Sequence, residues 1–300
     1  NISAVAVAAN NEKLYVNKEE SFICTSAGLK KEQNKDAYTF VSDCSDLDDI
    51  IVFRENGTFM VTKLQAKCFV GPEKLIHADV FHKNDDRTVY NMVYRSGKAG
   101  SPYYVKRFSV KGITHDKDYD LTMGEPGSKV VYFSANPNGE AEVIKVMLRP
   151  QPKLKKTSFD YNFAELAIKG RASRGNRLTQ HPINKIVKRD DGGSTLTARE
   201  IWYDDTVKRL NADKRGTLIG EFSGDDKILQ IYSNGEFRLS NYDLSTHFDD
   251  DMSQIMKYDP NTVFSVIYIE GETKLMYIKR FNIEEDTPLN RRISFIGENE

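Results

Sequence analysis

The chain has 300 residues, enough for one large domain or two ordinary ones. Its 43 Lys and Arg against 44 Asp and Glu leave a net charge of -1, which excludes a uniformly basic nucleic-acid protein but not a local basic patch. No apolar run reaches the ~18 residues of a membrane-spanning helix, and 15 Tyr and 16 Phe against 9 Pro point to a folded, strand-rich chain.

The chain opens on Asn1 without Met, the mark of a fragment. Ile2–Ala9 is apolar but has no basic lead, unlike a signal peptide. Residues 1–13 are expected to be a disordered lead-in to a single domain over 1–300. Cys24, Cys44 and Cys68 are odd in number and form no C-x-x-C pair, which argues against a disulfide framework or zinc ribbon and for a reducing cytosol.

Phe22–Thr25 before Gly28 reads as a first strand and turn. Ile50–Phe53 then runs into Asn56-Gly57, and Phe59 and Val61 resume the alternation. The same arrangement recurs at Val130–Ser134 with Asn138-Gly139, and at Ile228–Tyr232 with Asn234-Gly235. Asn-Gly between apolar strands predicts type I′ hairpins, whose two central residues need positive φ. Asn56-Gly57-Thr58 is therefore read as a turn rather than a glycan site. Val93–Gly97 leads to Tyr104-Val105-Lys106-Arg107-Phe108, and Val266–Gly271 leads to Tyr277-Ile278-Lys279-Arg280-Phe281. The shared Y-x-K-R-F marks an internal repeat.

Turn glycines at Gly28, Gly57, Gly97, Gly139, Gly235 and Gly271 thus punctuate a propeller-like array of hairpins with a period of roughly 40–50 residues. Gln151–Lys156 is a surface connector within it. Glu165–Arg177 and Ile201–Phe222 carry candidate strands that fill the long gap after Gly139. No sustained three-and-four periodicity predicts a long helix. A short one is expected over Ser253–Tyr258, stopped by Asp259-Pro260.

Catalytic signatures such as H-E-x-x-H, G-x-S-x-G or a P-loop are absent from the sequence. The histidines, His77 and His82 included, lack ligand spacing. The triplet Asp249-Asp250-Asp251 could take a cation, but it has no calcium-loop spacing and reads first as a solvated loop. Charge is more informative. Between Lys145 and Arg189 stand twelve cations: Lys145, Arg149, Lys153, Lys155, Lys156, Lys169, Arg171, Arg174, Arg177, Lys185, Lys188 and Arg189. They face only Asp160 and Glu165. That segment carries +10, so the remainder carries -11. Such lopsidedness fits a polyanion-binding rim, although a charged run is also what a solvated face looks like. Within it, Gly170-Arg171-Ala172-Ser173-Arg174-Gly175 is a candidate anion site, because glycines admit close approach and arginines bring forked donors. Lys106 and Lys279 have two readings, snorkelling between aromatics or meeting a nucleic-acid backbone.

Phe163–Ile186 (FAELAIKGRASRGNRLTQHPINKI) resembles a blade of the C-terminal domain of type IIA bacterial topoisomerase A subunits. There a strand precedes a G-R-x-x-x-G element and a further apolar strand. Leu229–Phe237 (LQIYSNGEF) and the other Asn-Gly hairpins are similar to the same pattern, and the likeness runs from about Leu14 to about Phe295. The sequence resembles the topoisomerase IV A subunit of the Bacteroidetes type more than gyrase A. The resemblance implies an all-β β-pinwheel of about six four-stranded blades, with five as the alternative. It also implies non-specific binding and bending of duplex DNA for presentation to the breakage–reunion core during ATP-dependent decatenation and relaxation. No Q-R-R-G-G-K-G string of the gyrase type occurs, which weighs against gyrase-like wrapping. The catalytic tyrosine would lie in a preceding domain, so this fragment would hold no active site and no cofactor. ATP and Mg would act through the core and the ATPase B subunit of a parent heterotetramer, in the cytoplasm on the nucleoid and away from membranes. The expected DNA-binding residues are Lys153, Lys155, Lys156, Lys169, Arg171, Arg174, Arg177, Lys185, Lys188 and Arg189, with Lys106 and Lys279. The rival classes are a protein-interaction propeller with an incidental basic stripe and an extracellular carbohydrate-binding propeller. The odd thiols and missing leader weigh against the latter.

Overall fold

Four consecutive apolar residues, Ile50–Phe53, are all buried, and they explain the architecture. In a strand, neighbouring side chains point to opposite faces, so a strand buried at every position needs a cover on both sides. Ile50 and Val52 pack against Leu14, Val16 and Ile23. Ile51 and Phe53 pack against Tyr90, Met92 and Phe108. Each apolar cluster is thus a layer between successive small sheets. The computed structural model describes residues 10–83, 85, 87–152, 154–270 and 273–296, and the chain divides into two compact units, Asn1–Leu196 and Thr197–Glu300.

The first unit contains β1 (Asn11–Asn17), β2 (Phe22–Cys24), β3 (Thr39–Ser45), β4 (Asp49–Arg54), β5 (Thr58–Lys63), β6 (Lys67–Phe69), β7 (Leu75–Phe81) and β8 (Val89–Arg95). It continues with β9 (Tyr103–Ser109), β10 (Tyr119–Asp120), β11 (Lys129–Asn136), β12 (Val143–Leu148), β13 (Ser158–Asn162), β14 (Lys169–Gly170), β15 (Asn176–Thr179) and β16 (Ile183–Asp190). The second contains β17 (Arg199–Asp204), β18 (Arg209–Asn211), β19 (Thr217–Phe222), β20 (Ile228–Tyr232), β21 (Glu236–Ser240), β22 (Met252–Lys257), β23 (Phe264–Ile269), β24 (Met276–Phe281) and β25 (Ile293–Ser294). Among the described residues the only helices are α1 (Ser26–Lys30) and two 3-10 turns, so the protein is all-β.

One rule generates the sheets. A hairpin forms the centre, the next long strand adds beside its first strand, and a short strand that follows the next hairpin closes the other edge. The orders β3-β1-β2-β6, β10-β5-β4-β7 and β22-β20-β21-β25 obey it. So does the five-stranded sheet β11-β8-β9-β14, in which β15 also joins β9. At β18 the closing strand is reduced to a bridge between Arg209 and His247. Successive sheets in a unit are therefore stitched together by exchanged strands, as expected of a pinwheel. Sheet sizes vary, however: β13-β12-β16 and β18-β17-β19 have three strands and β23-β24 has two.

Several local expectations are corrected. Gly57 and Gly235 have φ of +87° and +82°, but Asn56 and Asn234 do not have positive φ. These hairpins have three-residue loops ending on a left-handed glycine rather than type I′ turns. Asn138-Gly139 makes the same local turn, with Gly139 N–H donating to Asn136 O at 3.1 Å. It joins no hairpin, because β11 pairs with β8 while β12 pairs with β13 and β16. Gly28 lies inside α1, not in a turn. A Cβ there would sit 1.7 Å from the Ala66 carbonyl oxygen, so close approach demands the glycine. The helix expected over Ser253–Tyr258 is β22. Its residues pair with β20, and that partner overrides local propensity. Gly271 lies outside the described residues.

Candidate nucleic-acid interface

Phe163–Ile186, continuous in sequence, is shared between two sheets. β14 runs parallel to β9, with Lys169 opposite Phe108. β15 returns antiparallel, with Arg177 opposite Tyr104. The loop Arg171–Gly175 bends over the β9 edge between them, while β16 joins β12 in the next sheet. Ser173 N–H donates to Gly170 O at 3.0 Å and closes the bend. Gly175 has φ +84°, and a Cβ there would meet Val105 O at 2.2 Å and Lys106 Cβ at 2.7 Å. The close approach this glycine permits is to β9, not to an anion. The Ser173 hydroxyl is sealed from solvent and has no partner among the described residues, so it is not offered outward.

The arginines of the loop differ in freedom. Arg171 is half-buried. Its guanidinium donates to the carbonyls of Lys111 and Gly112 and lies over the Tyr119 ring at 4.5 Å. Arg174 is exposed and lies 5.7 Å over Tyr104, with its own carbonyl accepting from Tyr94 O–H at 2.8 Å. Arg177 is exposed and forms no ion pair among the described residues. This packing brings in cations that the sequence reading missed. Lys117 lies 5.4 Å over the same Tyr119 ring as Arg171, and exposed Lys111 supplies a carbonyl to Arg171. The cue was the Y-x-K-R-F strand itself, whose following segment carries both lysines.

Elsewhere in the segment, Lys155, Lys156, Lys169 and Lys185 are exposed and have no acidic partner among the described residues. Arg149 is exposed at the end of β12 and Lys145 is half-buried within it. Lys188 and Arg189 are already paired, to Asp191 and Asp160, each at 2.6 Å. Lys153 lies outside the described residues.

Lys106 is not at the surface: it is 1% exposed. Its ammonium donates to Arg171 O at 2.7 Å and Leu121 O at 2.9 Å, and burial pushes its pKa down to about 8. A phosphate cannot reach it in this structure. Period-two alternation puts Lys106 and Arg107 on opposite faces of β9, and neighbouring sheets cover both. Arg107, 3% exposed, gives its guanidinium to Asn91 and to the Gly139 and Glu140 carbonyls. Lys279 repeats the Lys106 role in the second unit. It stands in exposed β24 and donates to Phe295 O at 2.8 Å.

Two members of the acidic triplet, Asp249 and Asp251, are also engaged. Arg292 bonds both Asp251 oxygens at 2.7 and 2.8 Å and reaches Asp249 at 3.1 Å, while Arg238 meets Asp249 at 2.9 Å. Burial opposes the Asp249 charge, but these arginines and the Tyr232 hydroxyl hold its carboxyl below the usual range. Among the described residues no cluster of three or more His, Cys, Asp or Glu is placed to hold a metal ion.

Small antiparallel sheets stitched by exchanged strands, with a cation-bearing loop folded over one sheet edge, define a β-pinwheel with a candidate polyanion surface. The chain belongs to the family of topoisomerase C-terminal domains of the Bacteroidota, which it matches over residues 13–190 and 209–300. It is 27% identical over 180 residues to the A subunit of DNA topoisomerase 4 from Borreliella burgdorferi (strain ATCC 35210 / DSM 4680 / CIP 102532 / B31), a match covering 60% of this chain and 25% of that protein. The chain thus spans about a quarter of that relative's length. Among solved structures, the C-terminal domain of DNA topoisomerase IV aligns with 96% of this chain and 88% of its own, at 12% identity and a TM-score of 0.41. The DNA gyrase A C-terminal domain aligns with 83% of this chain and all of its own, at 12% identity and a TM-score of 0.29.

Proposed function

We propose that this domain grips duplex DNA through its phosphates, with little reading of bases, and presents it to the breakage–reunion core of a topoisomerase IV-type A subunit. The observation that carries the proposal is the run of twelve cations against two acids over 145–189. Within it the exposed Arg174, Arg177, Lys155, Lys156, Lys169 and Lys185 have no acidic partner among the described residues. Phosphate contacts position a duplex without specifying sequence. The parent protein would pair with an ATPase B subunit that brings ATP and Mg, and would work on the nucleoid. Lys106 drops out of the contact set because it is buried, whereas Lys279 is exposed and stays in it, its ammonium also donating to Phe295 O.

A gel shift with linear and supercoiled duplex at two salt concentrations tests this. With about six phosphates neutralised, affinity should fall roughly a thousandfold between about 50 and 200 mM salt. Changing Arg171, Arg174 and Arg177 together to Ala should weaken binding to unrelated duplexes by similar factors and flatten the salt slope by up to about three units. If the triple variant keeps both affinity and slope, the basic segment is only a solvated face.

A further inference from the structure

A buried ammonium among sheets is costly unless hydrogen bonds compensate it. The two partners of Lys106 belong to segments far apart in sequence: the cationic loop (Arg171 O) and the residue just after the strand closing the preceding sheet (Leu121 O). No carboxylate forms an ion pair with Lys106 among the described residues. Its ammonium lies 5.0 Å over the Phe108 ring, so it is enclosed by carbonyls and an aromatic face. Ammonium-to-carbonyl bonds are charge-assisted and stronger than neutral ones. The internal repeat separates the general part of this device from the special part. Lys279, the matching lysine, braces Phe295 just after closing strand β25, as Lys106 braces Leu121 just after closing strand β10. Among the described residues only Lys106 has a second acceptor, in the arginine-bearing loop.

We propose that Lys106 is a positioning residue for the DNA-binding loop: it fixes the loop backbone at Arg171, and with it the placement of Arg171 and Arg174, without meeting a phosphate itself. The loop is held at two successive points from below. Lys106 of β9 takes the Arg171 carbonyl, and Tyr94 of β8 takes that of Arg174. Above these anchors the guanidiniums lie over Tyr119 and Tyr104. Gly175 completes the fit, since any side chain there would push the loop off Val105 and Lys106. A loop so fixed meets phosphate without first losing conformational freedom, and that preorganisation is a source of affinity.

The inference rests on the loop being a phosphate-binding element, and the test separates the two. Lys106→Met keeps the bulk of the side chain and removes no exposed charge. Duplex affinity of the 300-residue chain is measured by fluorescence anisotropy at two salt concentrations, with folding checked by circular dichroism and thermal melting. Lys106→Met is expected to weaken binding about tenfold and to lower the salt slope by about two units, as if Arg171 and Arg174 had left their phosphates. In a background of Arg171→Ala with Arg174→Ala it should add less than about twofold, because residues acting through one another are not additive. Gly175→Ala, which removes no cation, should reproduce the loss, and it carries the test if Lys106→Met does not fold. Wild-type affinity and slope in a folded Lys106→Met protein, or a loss fully additive with the arginine changes, overturns the proposal while leaving DNA binding intact. Absence of salt-dependent duplex binding by the unaltered chain would instead overturn the functional reading beneath it.

Discussion

At the scale of single residues, charge in this protein divides into an outer set and an inner set. Arg54, Lys106 and Arg107 are each no more than 3% exposed. Arg54 donates to Val70 O at 2.8 Å and to Asp118 at 2.7 Å, joining the end of β4, at its hairpin turn, to the segments around it. Period-two alternation tells which residues share a face but not whether that face is covered, so the sequence could not separate these cations from surface ones. Desolvation also acts on His77, which is half-buried. Its ring lies among Phe53, Tyr90 and Phe133, its Nε2 has no partner among the described residues, and burial, with the Lys18 charge adding, pushes its pKa down to about 4. The unfolded chain therefore binds a proton at this site between the ordinary 6.5 and about 4, where the folded chain does not. Stability should fall as pH drops through that window. A melting series from pH 7 to 4 should show a shallower acid decline for His77→Phe than for the unaltered protein. Parallel declines would mean that His77 titrates normally.

At the scale of elements, the repeat supplies an internal control. Val93 and Val105 face each other across β8 and β9, and both are fully buried against Ile144 and Val146 of the next sheet. Their counterparts Ile267 and Ile278 face each other across β23 and β24 but are 69% and 75% exposed. The same local sequence therefore yields the same hairpin in two environments. The hairpins were legible because Asn-Gly and alternation act locally. The strand exchange was not, because β6, β10, β14 and β25 are two or three residues long and carry no period of their own. The contrast predicts unequal responses to one substitution. Val105→Lys puts an unpaired charge into a closed core and should cost upwards of about 3 kcal/mol, or prevent folding. Ile278→Lys should change stability by no more than about 0.5 kcal/mol, as read by urea unfolding. Equal costs at both positions would contradict the difference in burial.

At the scale of the whole molecule, charge is partitioned between the two units. Residues 1–196 hold thirty Lys and Arg against twenty-four Asp and Glu, a net +6, while residues 197–300 hold thirteen against twenty, a net -7. The +10 of the 145–189 segment was legible from counting alone, but the division into two units, and so the charge of each, was not. Which cations are already committed was not either, because their partners come from distant strands. Lys63 and Lys67, basic residues outside the 145–189 segment, illustrate the difference: they are tied to Asp49 at 2.7 Å and Glu32 at 2.8 Å. An anion approaching either would have to displace a carboxylate, whereas Lys155, Lys156, Lys169 and Lys185 present their charge without one. Lysine acylation with and without saturating duplex distinguishes these cases in the intact chain. Acylation of Lys155, Lys156, Lys169 and Lys185 should slow severalfold when DNA is bound, and the protection should vanish at high salt as counterions reclaim the phosphates. Lys63, Lys67 and, in the acidic unit, Lys214 should react at the same rate throughout. Protection spread evenly over both units would mean that net charge, not the 145–189 surface, governs contact. Protection confined to the second unit would mean that DNA is held where the acids are densest, and the assignment of the basic segment would fall.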